Sequence, residues 1–383
     1  MKQKKILFYV HDGTGYGHLR RLSLIAESLQ GICATLIVSG HRSMSWIVPN
    51  TCEFIHLPSL DSMLNERSKY WNQKTFWDIT KKEVIQFRKN MLKHIVSEFS
   101  PDVIFMDYYP TGILGEMSEI ILQHKSIKYF VLRGVIDEIE NYNDPDFPLN
   151  YSNQELIENC FSKVFVTCDS QIYQIENQFQ LSSIVRSKLY YVGFATKFID
   201  NETIENIRYN RGLKKEDIWI VISAGGGKHG EKLIENCLKL PELYPDFKFD
   251  IIHGFKSSKK WEYIGQDFFY NKNLIYHRSS NNLPSLQASA DIVICHGGYN
   301  SIVESIVGNS YIITIPNSGD QFINPKLMSR FHSISYSENI DNLPNLINNA
   351  ITDKYRKYGK VNLNLNGIEN IKSIVFNDLG IEK

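Results

Sequence analysis

At 383 residues the chain is long enough for two domains, each with its own core. Lys and Arg number 42 against 42 Asp and Glu, so nothing in the bulk charge calls for a nucleic-acid partner. Hydrophobic content of 43% and charged content of 22% fit an ordinary soluble globular protein, and no run approaches the ~18 apolar residues of a membrane span. The six cysteines (Cys33, Cys52, Cys160, Cys168, Cys237, Cys295) lie mostly in or beside apolar runs without CxxC spacing. That pattern suits structural thiols in a reduced, cytoplasmic setting better than a disulfide framework or a zinc site.

The lysines and short apolar run at the N-terminus are too brief for a signal peptide, and residues 6–10 read as a first strand. A loop, His11-Asp12-Gly13-Thr14-Gly15-Tyr16-Gly17-His18, turns out of it. Residues 19–29 then have helical spacing, with Leu22, Ile25, Ala26 and Leu29 on one face. Strand, glycine loop and helix raise the dinucleotide-binding fold. Its fingerprint, however, needs glycine where His18 stands, and the second strand, 35–38, ends in Ser39-Gly40 rather than an acid for a ribose.

Further strand patterns fall at 52–56, 103–106, 128–132, 164–167 and 189–192, alternating with helical ones. This alternation predicts a parallel, doubly wound sheet, with ligands at the C-terminal strand ends. Asp107-Tyr108-Tyr109-Pro110-Thr111-Gly112 and Arg133-Gly134 follow two such strands, Asp107 being either functional or a helix cap. Residues 57–78, with Tyr70, Trp71, Phe76 and Trp77, suit a functional loop. The acidic stretch 137–150 could attract a cationic acceptor but better suits a solvated loop. Residues 75–99 read as an amphipathic helix with Val84, Phe87, Met91, Ile95 and Phe99 on its apolar side.

Polar composition over 197–217 predicts an interdomain linker. A strand at 218–223 leads into Ala224-Gly225-Gly226-Gly227-Lys228-His229-Gly230, a cradle for an anion that lacks P-loop spacing. Strand ends follow at 251–254 and 274–277. A short apolar strand, 291–295, precedes the turn Gly297-Gly298 and a helix over 299–308, with Gly308 as its stop. Backbone N–H groups and the positive dipole end at that turn suit a phosphate, with His296, Asn300 and Ser301 at its border. Glu304, one turn beyond Asn300, can accept from both hydroxyls of a ribose. After a second strand, Gly319-Asp320-Gln321 opens the next helix, and Asp320 and Gln321 could hold the hydroxyls of a second sugar. The last helical pattern is 368–379.

These residues carry a family resemblance. His296 to Glu304, with Asp320 and Gln321 following, resembles the donor-binding motif of GT-B glycosyltransferases. It is most similar to the plant secondary-product box (His-x-Gly-x-Asn-Ser-x-x-Glu, then Asp-Gln) and to the bacterial lipid II synthase group of family 28 type. The loop 11–21 resembles the acceptor-side loop of that group, although Gly13 departs in spacing. It is closer to stand-alone bacterial glycosyltransferases with His-Asp-x-x-Gly-x-Gly-His-x-x-Arg-Arg, and it recurs in certain nucleotide-sugar hydrolases.

The resemblance implies an α/β GT-B fold, two Rossmann-like doubly wound domains facing across a cleft. It places an acceptor-side domain at 1–197, with 366–383 packing on it, and a nucleotide-sugar domain at 198–365. It implies an inverting transfer from a UDP-sugar to an acceptor hydroxyl, with no metal or other cofactor, in a cytoplasmic enzyme. The 75–99 helix would touch a membrane peripherally through its basic face, as relatives that glycosylate lipids do, or be a plain core-facing helix. The donor side would comprise Gly17, Gly226, Gly227, Lys228, His296, Gly297, Gly298, Asn300, Ser301, Glu304, Asp320 and Gln321. The catalytic base would be His18, since histidine's usual pKa of ~6.5 suits taking a hydroxyl proton near neutral pH, with Asp12 and Asp107 as competitors. Nucleotide-sugar hydrolysis or 2-epimerisation, and non-catalytic nucleotide-sugar binding, are alternatives on the same fold.

Overall fold

The computed structural model describes residues 3–11, 16–41, 47–59, 80–134, 151–225, 230–254, 272–280, 282–317, 319–353 and 363–382. The chain divides into two compact units, Met1–Ala195 with Asn366–Lys383, and Thr196–Leu365.

The first unit is built on a parallel sheet of β1 (Lys4–Tyr9), β2 (Cys33–Ser39), β3 (Glu53–His56), β4 (Val103–Asp107), β5 (Ile127–Leu132), β6 (Lys163–Val166) and β7 (Leu189–Tyr191). Its order is β3-β2-β1-β4-β5-β6-β7. The central strands are unbroken apolar runs because helices cover both faces, and β1 and β4 are buried almost throughout. On one face Ile6, Phe8, Val103, Phe105, Tyr129 and Val131 pack with Leu19, Leu22, Ile25 and Ala26 of α1 (Gly17–Ser28). The C-terminal helix, Gly367–Leu379, adds Ile371, Val375 and Phe376 to this core. It is pinned where Asp378 accepts from the Tyr129 hydroxyl at 2.6 Å and from Lys163 Nζ at 2.5 Å. Gly367 is there for closeness, since a Cβ on it would stand 2.5 Å from the Gly193 carbonyl oxygen.

The helix α2 (Lys81–Phe99) starts at Thr80, whose side chain and that of Glu83 cap each other's backbone N–H groups. Its inner face differs from the expected one. Val84, Ile85, Arg88, Leu92 and Val96 are buried, whereas Phe87 is 47% exposed. A buried ion pair moves the stripe: Arg88 Nη2 meets Glu116 Oε1 at 3.0 Å and the Tyr9 hydroxyl at 3.0 Å. Apolar periodicity alone cannot see an arginine that faces inward. Shorter helices α3 (Ser118–Gln123), α4 (Asn153–Cys160) and α5 (Ser183–Ser187) complete the unit. The stretches 60–79 and 135–150 hold most of the aromatic-loop and acidic-loop expectations and lie outside the described residues.

The second unit opens where a linker is expected, yet the chain there is helical. The helix α6 (Asn201–Asn210) is capped by Asp200 and buries no residue. Arginines hold it instead: Arg208 pairs with Asp291 at 3.1 Å, and Arg211, at its C-cap, with Asp250 at 2.6 Å. The parallel sheet follows as β8 (Trp219–Ser223), β9 (Lys248–Ile252), β10 (Leu274–His277), β11 (Ile292–Cys295), β12 (Tyr311–Thr314) and β13 (Ile334–Tyr336). Its order is β10-β9-β8-β11-β12-β13. Ile220, Ile222, Phe249, Ile251, Ile292, Ile294 and Ile313 pack with Leu233 and Ile234 of α7 (Glu231–Cys237) and Leu346 and Ile347 of a later helix.

Each sheet reverses its strand order once, between β1 and β4 and between β8 and β11. Crevices for ligands form at the C-terminal strand ends beside such a reversal. All six cysteines are free thiols. Among the described residues no helix is long and apolar enough to cross a membrane.

Candidate active site

In the first unit the strand reversal brings together the ends of β1 and β4 and the start of α1. Asp107, the last residue of β4, is fully buried. Its Oδ1 accepts from Arg21 Nη2 at 2.7 Å, and its Oδ2 lies 2.9 Å from His18 Nδ1 and accepts the His11 N–H at 3.3 Å. His18 and Arg21 stand three positions apart on α1, so both reach the same strand end. Burial alone would push the Asp107 carboxyl up. The charges of His18 and Arg21 outweigh that and hold it well below the usual carboxylate range.

With Nδ1 directed at the carboxylate, His18 turns Nε2 away from Asp107, and its side chain is 15% exposed. Aromatic rings wall it in: His11 edge-on at 5.1 Å and Tyr108 at 5.1 Å, with the Arg133 guanidinium 5.7 Å from the Tyr108 ring centre. Tyr108 adopts a left-handed φ of 66°, which turns the chain sharply off the end of β4. Asp107 caps no helix, because the next one, α3, begins after Met117. Gly17 is the first residue of α1. Asp12 lies outside the described residues.

In the second unit the reversal joins the ends of β8 and β11. After Cys295 comes His296, then Gly297 at φ 85°, and Gly298 as the N-cap of α10 (Tyr299–Val307), the helix after α9 (Leu283–Ser289), with α8 (Leu240–Leu243) earlier in the unit. Position 297 has room only for glycine: a Cβ would lie 2.8 Å from Pro325 Cγ and 3.3 Å from the Gln321 carbonyl oxygen. This close approach brings the turn against the segment that carries Asp320 and Gln321. Gly298 contributes no capping side chain, so the first-turn N–H groups and the helix dipole face the turn together.

Asn300, Ser301 and Glu304 are half-buried on α10, Asn300 and Glu304 one turn apart. His296 donates from Nδ1 to the Ile315 carbonyl at 2.7 Å. Its Nε2 can therefore donate to a phosphate only when the ring is protonated, a condition that the sequence does not reveal.

Asp320 and Gln321 lie on a 3-10 turn, Gly319–Phe322, rather than at a helix start, and α11 (Asn324–Met328) follows it. Gln321 Oε1 accepts the Asn317 N–H at 2.9 Å. Asp320 Oδ2 accepts from Nδ2 of the buried Asn324 at 3.0 Å, a supporting contact with no sequence signal. Gly308 does not end α10 through a left-handed turn. Asn309 takes that conformation at φ 63°, and Gly308 instead makes room for the Ala288 backbone. On the β8 side, Ala224 and Gly230 touch, while Gly226, Gly227 and Lys228 lie outside the described residues.

Residues 220–359 match the model of the glycosyltransferase family 28 C-terminal domain. That match lies within the second unit. Two bacterial relatives are UDP-N-acetylglucosamine--N-acetylmuramyl-(pentapeptide) pyrophosphoryl-undecaprenol N-acetylglucosamine transferases. The one from Sulfurihydrogenibium sp. (strain YO3AOP1) is 26% identical over 152 residues, 39% of this chain and 42% of the relative. The second, number 2 of Bacillus cereus (strain ATCC 14579), is 30% identical over 168 residues, 41% of this chain and 46% of the relative. The chain thus matches less than half the length of these curated relatives.

Among solved structures, the glycotransferase of kitacinnamycin aligns over 97% of this chain and 99% of its own, at 12% identity and a TM-score of 0.61. The UDP-GlcNAc 2-epimerase of Methanocaldococcus jannaschii aligns over 97% and 99%, at 13% identity and a TM-score of 0.57. Such likeness speaks for the fold alone: α/β of the GT-B kind, with two Rossmann-like units.

Proposed function

We propose that the protein transfers a sugar from a UDP-sugar to an acceptor hydroxyl, inverting the anomeric centre without needing a bound metal. One observation carries this: the second unit matches the family 28 C-terminal domain, and the first, taken by itself, presents a histidine oriented by a buried carboxylate at its strand reversal. Asp107 fixes Nδ1–H of His18, which makes Nε2 the base. As the acceptor oxygen attacks the anomeric carbon, its proton passes to Nε2. The bond from that carbon to the diphosphate breaks, and its electron pair leaves on the phosphate oxygen. Attack from the face opposite the leaving group inverts the centre.

In the second unit the Gly297-Gly298 turn and the first N–H groups of α10 receive the diphosphate, aided by the loop bearing Lys228. They stabilise the charge that develops there. Glu304 accepts from the ribose hydroxyls. Asp320 and Gln321 meet the hydroxyls of the donor sugar. The curated relatives are named for UDP-N-acetylglucosamine, which makes it the first donor to try.

The 2-epimerase likeness sustains one other reading, hydrolysis or epimerisation on this scaffold. A panel of UDP-sugars incubated with the protein, with and without candidate acceptors, separates the two by mass spectrometry. Transfer predicts UDP release that depends on an acceptor and a glycosylated product. Stoichiometric free sugar or a 2-epimer without any acceptor would contradict it.

A further inference from the structure

Arg21 is 1% exposed, and its Nε and Nη1 have no hydrogen-bond partner among the described residues. Among the described residues its anionic contact is Asp107, at 2.7 Å. The same Nη2 lies 3.4 Å from His18 Nδ1. One buried carboxylate is thus shared between an arginine that is always charged and a histidine that can be. The charge count decides which state the cluster favours. With Arg21 and Asp107 both ionised, the group is neutral only while His18 is neutral, and protonating His18 would leave a net buried cation. Without Arg21, the group would be neutral only with His18 protonated or Asp107 uncharged.

We propose that Arg21 is a positioning residue that keeps His18 a neutral base by sharing Asp107 with it. Arg21 also secures the ionised carboxylate on which the Nδ1–H tautomer depends. Burial opposes ionisation of Asp107, and the charges of His18, present below its own midpoint, and of Arg21, present at every pH, overcome it, so the carboxylate is already ionised throughout the range in which His18 titrates. Among the described residues, other groups around His18 come from three strand ends. His11 lies at the end of β1, Tyr108 and Tyr109 follow β4, and Arg133 follows β5 above Tyr108. Arg133 is the further cation of this set and acts in the same direction as Arg21. The consequence for catalysis rests on His18 being the base proposed above, but the charge relation itself does not.

The test follows the titration of His18 in the full chain labelled with ¹³C-histidine, with the His18 signal assigned from its absence in His18→Gln. Arg21→Met removes the charge while keeping much of the volume. It should raise the His18 midpoint by about one pH unit or more, the size expected for losing a cation a few ångströms away. Arg21→Lys should leave the midpoint near that of the wild type. Asp107→Asn, with Arg21 in place, should lower it, and serves as the readout if Arg21→Met does not fold.

An unchanged midpoint in Arg21→Met, or in Asp107→Asn, overturns the proposal. So does a shift in Arg21→Lys as large as that in Arg21→Met, because charge would then not be the cause. If the midpoints move as stated while His18→Ala keeps its turnover, the base assignment fails and the Arg21–Asp107–His18 relation stands.

Discussion

The two units use one sheet plan for opposite purposes. At the reversal of the first, the proposed functional atoms belong to side chains: an imidazole, a buried carboxylate and a guanidinium within 3.4 Å of one another. At the reversal of the second they belong largely to backbone, a turn whose Gly297 has no room for a Cβ and a helix start without a capping side chain. Backbone N–H groups suit a ligand that is always an anion, because they never titrate and cost no side-chain ordering. A proton acceptor must titrate near neutral pH, so it has to be a side chain whose neighbours fix its tautomer. The division predicts that binding and turnover can be damaged separately.

The largest effect should come from His18→Ala, which removes the proposed general base, a group worth about 10²–10⁴-fold. With the donor–acceptor pair that the panel identifies, turnover should fall by at least about a hundredfold. Near-normal turnover would pass the role to Asp12. Next comes Glu304→Ala. Charge-assisted hydrogen bonds are worth ~1.5–3 kcal/mol each, so UDP should bind about tenfold more weakly or worse while the fold survives.

A third test is thermal. Burial pushes His253, at the end of β9, down to about 4, below the ~6.5 of an unfolded chain. Between those values the unfolded state holds more protons, so stability should decline as pH falls from about 6.5 towards 4. Unfolding followed at pH 7 and pH 4.5 should show this loss, and His253→Gln should lessen it. The smallest effect is expected from Gln321→Ala, which should change the preference between glucose- and galactose-type donors by a few-fold more than it changes UDP affinity. Equal losses for all donors and for UDP would count against its contact with the sugar.

Much of this plan could be read from the chain because buried parallel strands and amphipathic helices leave periodic marks. The core face of α1 and the Gly297-Gly298 turn are of that kind. What was illegible depended on partners distant in sequence. Arg88 turned α2 inward through Glu116, and Arg208 and Arg211 held a polar helix where a linker was expected. Gly308 does stop its helix, but the reason it must be glycine, the Ala288 backbone against it, is not in the local sequence. The three-residue β13 is half-buried throughout and too short for a pattern. Asp107 offered a choice between cap and base. Only the sheet order, which sets β4 beside β1, shows it to be the partner of His18 and Arg21.

The division of labour is tested most directly by calorimetry of UDP binding to the full-length His18→Ala and Glu304→Ala proteins, side by side with the wild type. Nucleotide binding by the second unit predicts wild-type affinity in the first variant and a loss of about tenfold or more in the second. Equal weakening in both folded variants, or undiminished affinity in Glu304→Ala, would contradict it.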